Sequence, residues 1–142
     1  MRNETVAETG GFRVILMDSI SLIEAADAGA VIVCGSHGGA ISGAFAALHP
    51  PALVFFNDGG IGKNRAGIAA LDALAAAGIP AAAVGHLTAR IGDALDAWEN
   101  GMVSHRNAPA AAAGVAAGMP VREAVERFSG GSAAAASEAW SK

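Results

Sequence analysis

Three of the four histidines in this 142-residue chain lie in short polar strings that also hold serine, aspartate or arginine. Histidine titrates near neutrality, so it is the side chain best suited to moving protons. His37 sits in Gly35-Ser36-His37-Gly38-Gly39, His86 in the run from Gly85 to Asp93, and His105 in Ser104-His105-Arg106-Asn107. His49 precedes Pro50 and reads as surface. Asp58 or Asp93 could orient an imidazole by accepting its ring N–H. The expectation is that His37 or His86 moves a proton, with Asp58 orienting it. Three imidazoles and a carboxylate could also hold a divalent metal. No H-x-H or H-E-x-x-H spacing supports one, so neither a metal nor an organic cofactor is expected. The plainer reading is that each loop histidine donates to a backbone carbonyl.

Two glycine-rich strings suggest anion binding. Gly35–Gly39 opens a helix, where successive backbone N–H groups and the helix dipole suit phosphate or carboxylate. The run from Asn57 to Arg65 (NDGGIGKNR) resembles a P-loop but lacks its first glycine and final Ser/Thr. Neither string is G-x-G-x-x-G, so nucleotide fingerprints fail. The amides of Gly38, Gly39, Gly60 and Gly62, with Lys63 and Arg90, are the expected anion holders. Ser36, Asn57, Thr88, His105 and Asn107 would complete the lining. The alternative is that the glycines only make tight turns. Arg90 could instead pair with Asp93. Lys63 opposes the dipole at a helix start, which invites a ligand explanation. Cys34 reads as buried, and no G-x-S-x-G elbow accompanies Ser36.

The elements needed to gather these strings alternate along the chain. Strands are expected at Phe12–Asp18, Ala30–Cys34, Ala52–Asn57 and Pro80–Val84, with a short fifth at Gly101–Ser104. Helices are expected at Ser19–Asp27, Ala40–His49, Lys63–Ala77, Ile91–Glu99, Ala108–Gly118 and Val121–Phe128. Continuous apolar strand runs indicate burial on both faces. Strands separated by helices predict a three-layer α/β domain whose sheet of four or five strands is mostly parallel, Rossmann-like or flavodoxin-like. Its strand order is not fixed by the pattern. Each polar string would then follow a strand, at the sheet edge where ligands of such folds bind. Residues 1–128 form one domain in this reading. The Gly/Ser/Ala-rich stretch 129–142 reads as a tail, with a short helix whose Trp140 could dock on a neighbouring subunit.

Composition narrows the partners. The formal charge is −4, which gives no basic field for nucleic acid or an anionic membrane surface. Charged residues are 15%, against about 25% in ordinary domains, while 53% are hydrophobic. So little charge would leave Ala-rich faces bare on a monomer, and a homo-oligomer is expected. No apolar run reaches the roughly 20 residues of a membrane span, and the polar N-terminus is unlike a signal peptide. A cytoplasmic protein is the expectation. One cysteine cannot form an internal disulfide.

The strings GSHGG, NDGGIGKNRAGIAALDALAAAGIPAA, HLTARIGDALD and SHRNAPAA together resemble a group of small bacterial hypothetical proteins, over about residues 30–118. The resemblance implies an α/β domain with those loops together, and no activity.

The leading functional expectation is an acid–base enzyme (isomerase, lyase or hydrolase) acting on a small anionic metabolite. A non-catalytic ligand-binding or regulatory protein could use the same pocket. In a third reading, a structural oligomer, the loops would serve as subunit contacts.

Overall fold

Val14, Leu16, Val31, Val33, Leu53, Phe55, Ala82 and Val84 pack into one apolar cluster, and the alternating Ile15, Met17, Ile32, Cys34, Val54, Phe56, Ala81 and Ala83 into another. This two-residue alternation divides the strands between the two faces of a single sheet. The computed structural model describes residues 1–130. Six strands run β1 (Asn3–Thr9), β2 (Phe12–Met17), β3 (Val31–His37), β4 (Leu53–Asn57), β5 (Ala81–Val84) and β6 (Val103–Arg106), and their order across the sheet follows their order in the chain. β2 to β5 are parallel neighbours, while β1 and β6 pair antiparallel at the two edges.

The α/β class and the three layers agree with expectation, but the sheet does not: it has six strands instead of four or five. Three pairings are parallel and two antiparallel, so the sheet is mixed rather than mostly parallel. Rossmann and flavodoxin sheets grow outward in both directions from a strand near the middle. Here the order never reverses.

That sequential order dictates where the helices lie. Right-handed crossovers between successive parallel strands must all pass over one face. The 3₁₀ turn Ile20–Leu22, α1 (Ala40–Leu48) and α2 (Ala69–Ala76) accordingly pack through Ile20, Ala46, Ala70, Leu71 and Leu74 on one face. After β5 the chain changes sides. It passes over the carboxyl ends of the strands and enters α3 (Ala94–Asn100), which packs beneath β2 and β3 on the other face. α4 (Ala108–Ala112) and a helix over 121–130 share that face through Ala110, Val121, Ala124 and Val125. Phe55 and Phe56 are fully buried on opposite faces. Each contributes roughly 1.5–3 kcal/mol of burial.

Local chemistry sets the helix boundaries. Ser19 caps a 3₁₀ turn, and a second turn follows at Ala25–Asp27, where one helix over Ser19–Asp27 was expected. Asp93 accepts from the Asp96 N–H and starts α3 later than the expected Ile91. The expected helix Lys63–Ala77 is broken: Lys63–Ile68 is 3₁₀, with Asn64 and Arg65 left-handed inside it. α4 stops at Ala112 rather than running to Gly118, since Gly114 and Gly118 both adopt positive φ.

Ser129 lies within the C-terminal helix, buried and donating to the Val125 carbonyl. The expected docking of Trp140 and the Ala-rich tail helix lie outside the described residues. Among the described residues, no helix is long and apolar enough to cross a membrane.

Candidate functional site

Asn57 ends β4 and Asp58 follows it, and the chain leaves toward one face. Val84 ends β5 and Gly85-His86 follow it, and here the chain leaves toward the other face. Loops that diverge in this way open a crevice between neighbouring strand ends. Asp58 and His86 face each other there, with His86 Nδ1 3.3 Å from Asp58 Oδ1. Asp58 is 5% exposed, whereas the His86 side chain is 48% exposed. A sunken carboxylate thus backs an imidazole that reaches solvent.

Asp58 is held from several directions. Its Oδ1 accepts from the Gly60 N–H at 2.8 Å and the His86 N–H at 3.1 Å, and its Oδ2 accepts from the Ser104 hydroxyl at 2.8 Å. Burial alone would push its pKa up. The donors on Gly60, Ser104 and His86, with the charge of the His86 ring, outweigh burial and hold Asp58 below the ordinary carboxylate range. The carboxylate therefore stays ionised near neutrality and favours a hydrogen on His86 Nδ1, which leaves Nε2 free to exchange a proton with a ligand.

Ser104 and His105 join this cluster from the other side. His105 Nδ1 lies 3.1 Å from Ser104 Oγ. The Ser104 hydrogen is directed at a carboxylate that has none to give, so the His105 nitrogen is the donor in that contact. Sequence reasoning passed over Ser104. The missed signal was a serine next to a histidine at the head of a strand.

The direction of β6 explains what moved. Its residues were expected to follow a parallel strand and end at the same edge. β6 is antiparallel instead, pairing Val84 with Val103 and Ala82 with Arg106. Ser104 therefore lies near the Asp58 end. Asn107 is carried to the opposite end of the sheet, where its Oδ1 accepts from the Ala81 and Ala110 N–H groups and its Nδ2 donates to the Leu71 and Ile79 carbonyls. All of its bonding capacity goes to scaffold. The expected ligand contact from Asn107 is corrected accordingly.

The expected amide cradle is likewise committed elsewhere. Gly38 N–H donates to the Asn57 carbonyl, Gly39 to His37, Gly60 to Asp58 and Gly62 to the Gly60 carbonyl. These donors shape the loops and leave no open nest. Asn57, also expected to bind substrate, is buried: its Nδ2 donates to the Ala89 carbonyl and its Oδ1 accepts from Gly59. Thr88 Oγ1 donates to the Gly85 carbonyl and accepts from the Met102 N–H, fixing the loop that carries His86. Ser36 Oγ accepts from the Ile20 N–H. These three are positioning residues.

His37 stands beside the same loop without joining the pair. A Cβ on Gly59 would lie 3.4 Å from His37 Cβ, and one on Gly60 would lie 3.6 Å from the His86 ring. The His37 ring itself turns toward Gly39 and the first turn of α1. It lines a cavity of about 350 Å³ together with Asp18, Ser42, Ile91 and Gly92. Lys63 is exposed at the far end of the glycine loop. Arg90 meets Asp96 through its backbone N–H at 2.8 Å, and among the described residues its guanidinium makes no ion pair with Asp93 or Asp96. Asn100, the Arg90 N–H and the Arg90 charge together lower the Asp96 pKa against slight desolvation.

The loop under the pair is strained. Ile61, Asn64 and Arg65 are the three non-glycine residues with positive φ among those described, and all lie within it. For a β-branched isoleucine at φ 69° this costs on the order of 1–3 kcal/mol.

Cys34 is buried, and burial pushes its thiol to about 12, against smaller opposing hydrogen bonds from Ser36 and backbone, so it supplies no thiolate. Among the described residues, no group of three or more His, Cys, Asp or Glu side chains is placed to hold a metal ion. Comparison of the chain with family models, curated proteins and solved structures gave no match, so the chemistry of this site rests on its own geometry.

Proposed function

We propose that the protein is an acid–base enzyme for a small anionic metabolite, with His86 as the group that exchanges a proton and Asp58 as the group that positions it. The observation that carries this reading is the Asp58–His86 pair itself. A carboxylate at 5% exposure is kept ionised behind an imidazole at 48% side-chain exposure, in the crevice where successive loops diverge. Burying a carboxylate is costly unless it is hydrogen-bonded, and here three donors are spent on doing so.

His86 Nε2 would take a proton from a carbon or hydroxyl of the ligand and return it elsewhere, which is the chemistry of an isomerase or lyase. With a water in place of the ligand hydroxyl, the same base serves hydrolysis. The ligand lies over Gly59 and Gly60, where missing side chains leave room beside His37 and His86. Its negative charge is met by the His37 side chain beside Gly59, not by loop amides. The adjoining cavity of about 350 Å³ has the size of a small-metabolite pocket.

The test is a thermal-shift screen against small carboxylates and phosphate esters, followed by turnover of the hits. A stabilising ligand should lose its effect in His86→Ala, while that variant's own melting temperature stays near wild type because the ring is half exposed. A hit that stabilises His86→Ala equally would place the ligand elsewhere and remove the acid–base reading. A ligand that binds through His86 without turnover would favour a binding protein using the same pocket.

A further inference from the structure

The antiparallel turn of β6 opens a second recess next to the Asp58 cluster. It has a volume of about 320 Å³, and Ser104, His105 and Arg106 line it above a floor that includes Ala108, Ala111 and Ala117. Arg106 is exposed, and among the described residues it makes no ion pair. The recess therefore combines a guanidinium, an imidazole and a hydroxyl over an alanine floor. That set recognises a compact anion, and a guanidinium offers phosphate or carboxylate a two-point fork.

We propose that this recess is a second anion subsite, distinct from the crevice at His86 and linked to it through Ser104. Asp58 is the shared element: its Oδ1 faces His86 and its Oδ2 takes the Ser104 hydrogen bond. Ser104 Oγ in turn meets His105 Nδ1 at 3.1 Å. An anion seated against His105 favours the doubly protonated ring. That holds Nδ1–H on Ser104 Oγ and keeps the Ser104 hydrogen on Asp58 Oδ2, at 2.8 Å, rather than on the Ala83 carbonyl, at 3.4 Å. Occupancy of the recess thereby tightens the support of the carboxylate behind His86. Arg106 is the anion's main contact, and Ser104 is a positioning residue that carries the effect.

The subsite stands apart from the acid–base reading, whereas the link rests on the Asp58–His86 geometry. Their failures can be told apart because no turnover is measured. The full chain, labelled at the histidine ring carbons, is titrated with inorganic phosphate at fixed pH while all four rings are followed by NMR. The proposal expects a saturable shift of His105 and a smaller shift of His86 with the same midpoint. Arg106→Ala should weaken the His105 response at least tenfold, and Arg106→Lys should keep part of it. Ser104→Ala should keep the His105 response and lose that of His86, with an unchanged backbone amide spectrum confirming the fold. A His105 shift that does not saturate, or that survives Arg106→Ala, overturns the subsite. A saturating His105 response with a silent His86 in wild type overturns the link.

Discussion

Gly67 packs against the backbone of Asp58 so closely that a Cβ at Gly67 would fall inside the van der Waals shell of the Asp58 carbonyl oxygen. The Gly67 N–H also donates to the Ile61 carbonyl, closing the strained loop on itself. Glycine is required here by space, not by φ. Gly67→Ala should therefore cost about 3 kcal/mol in urea unfolding, at the upper end of overpacking, because backbone rather than a side chain must yield. It should also abolish ligand-induced stabilisation, since the loop that must move is the one bearing Asp58. A variant as stable as wild type would show that the contact is loose.

Asn107 makes the opposite kind of prediction. It caps α4, bonds to the head of β5, and is 6% exposed. Asn107→Ala should lower stability by roughly 2–4 kcal/mol, a lost cap plus buried backbone groups left unpaired. It should leave ligand binding at the far edge unchanged under conditions where the variant is folded. Selective loss of binding with normal stability would return Asn107 to the site.

Asp58 should leave a signature in the acid limb of stability. Its folded pKa is depressed below the ordinary value of 3.8, so it binds fewer protons folded than unfolded. The stability it contributes is present above the unfolded value and fades as pH falls through that value toward the folded one. Asp58→Asn should be less stable than wild type at pH 7, and the gap measured by urea unfolding should narrow as pH falls below about 4. A gap that stays constant across that range would mean the carboxylate is not held ionised by the fold.

Cys34 should be inert until the sheet opens. With the thiol fully buried and pushed to about 12, an aromatic disulfide reagent should react only at the rate of unfolding, and rapidly in denaturant. Fast stoichiometric labelling of the native protein would contradict the burial.

The contrast between β4 and β6 shows what the sequence made legible. Leu53–Phe56 in β4 is a run of large apolar residues buried on both faces, and such a run announces a central strand whatever its neighbours do. Val103–Arg106 is four residues long and only partly buried. Nothing in its side chains encodes direction, which is set by α3 crossing beneath β2 and β3 and returning the chain at the carboxyl edge. Asp58 and His86 were legible because parallel strands place their following loops together. Asn107 was misplaced because an antiparallel strand reverses that rule. β1 escaped notice because an exposed edge strand needs no apolar pattern. Its signal was Gly10-Gly11, which joins it to β2 with both residues at positive φ, a turn type suited to tight hairpins. The break in the Lys63–Ala77 helix was foreshadowed by Gly67. The left-handed Asn64 and Arg65 depend on how the loop closes over Asp58, which no local pattern records.

The most direct test of the Asp58–His86 pairing is the protonation site of the neutral His86 ring, read from its ¹⁵N NMR shifts. Backed by an ionised Asp58, the ring should carry its hydrogen on Nδ1 and present a bare Nε2, and Asp58→Asn should shift that population toward the Nε2–H form. If His86 instead carries its hydrogen on Nε2 in the wild-type protein, and Asp58→Asn changes nothing, the carboxylate does not orient the imidazole and the proposed chemistry fails.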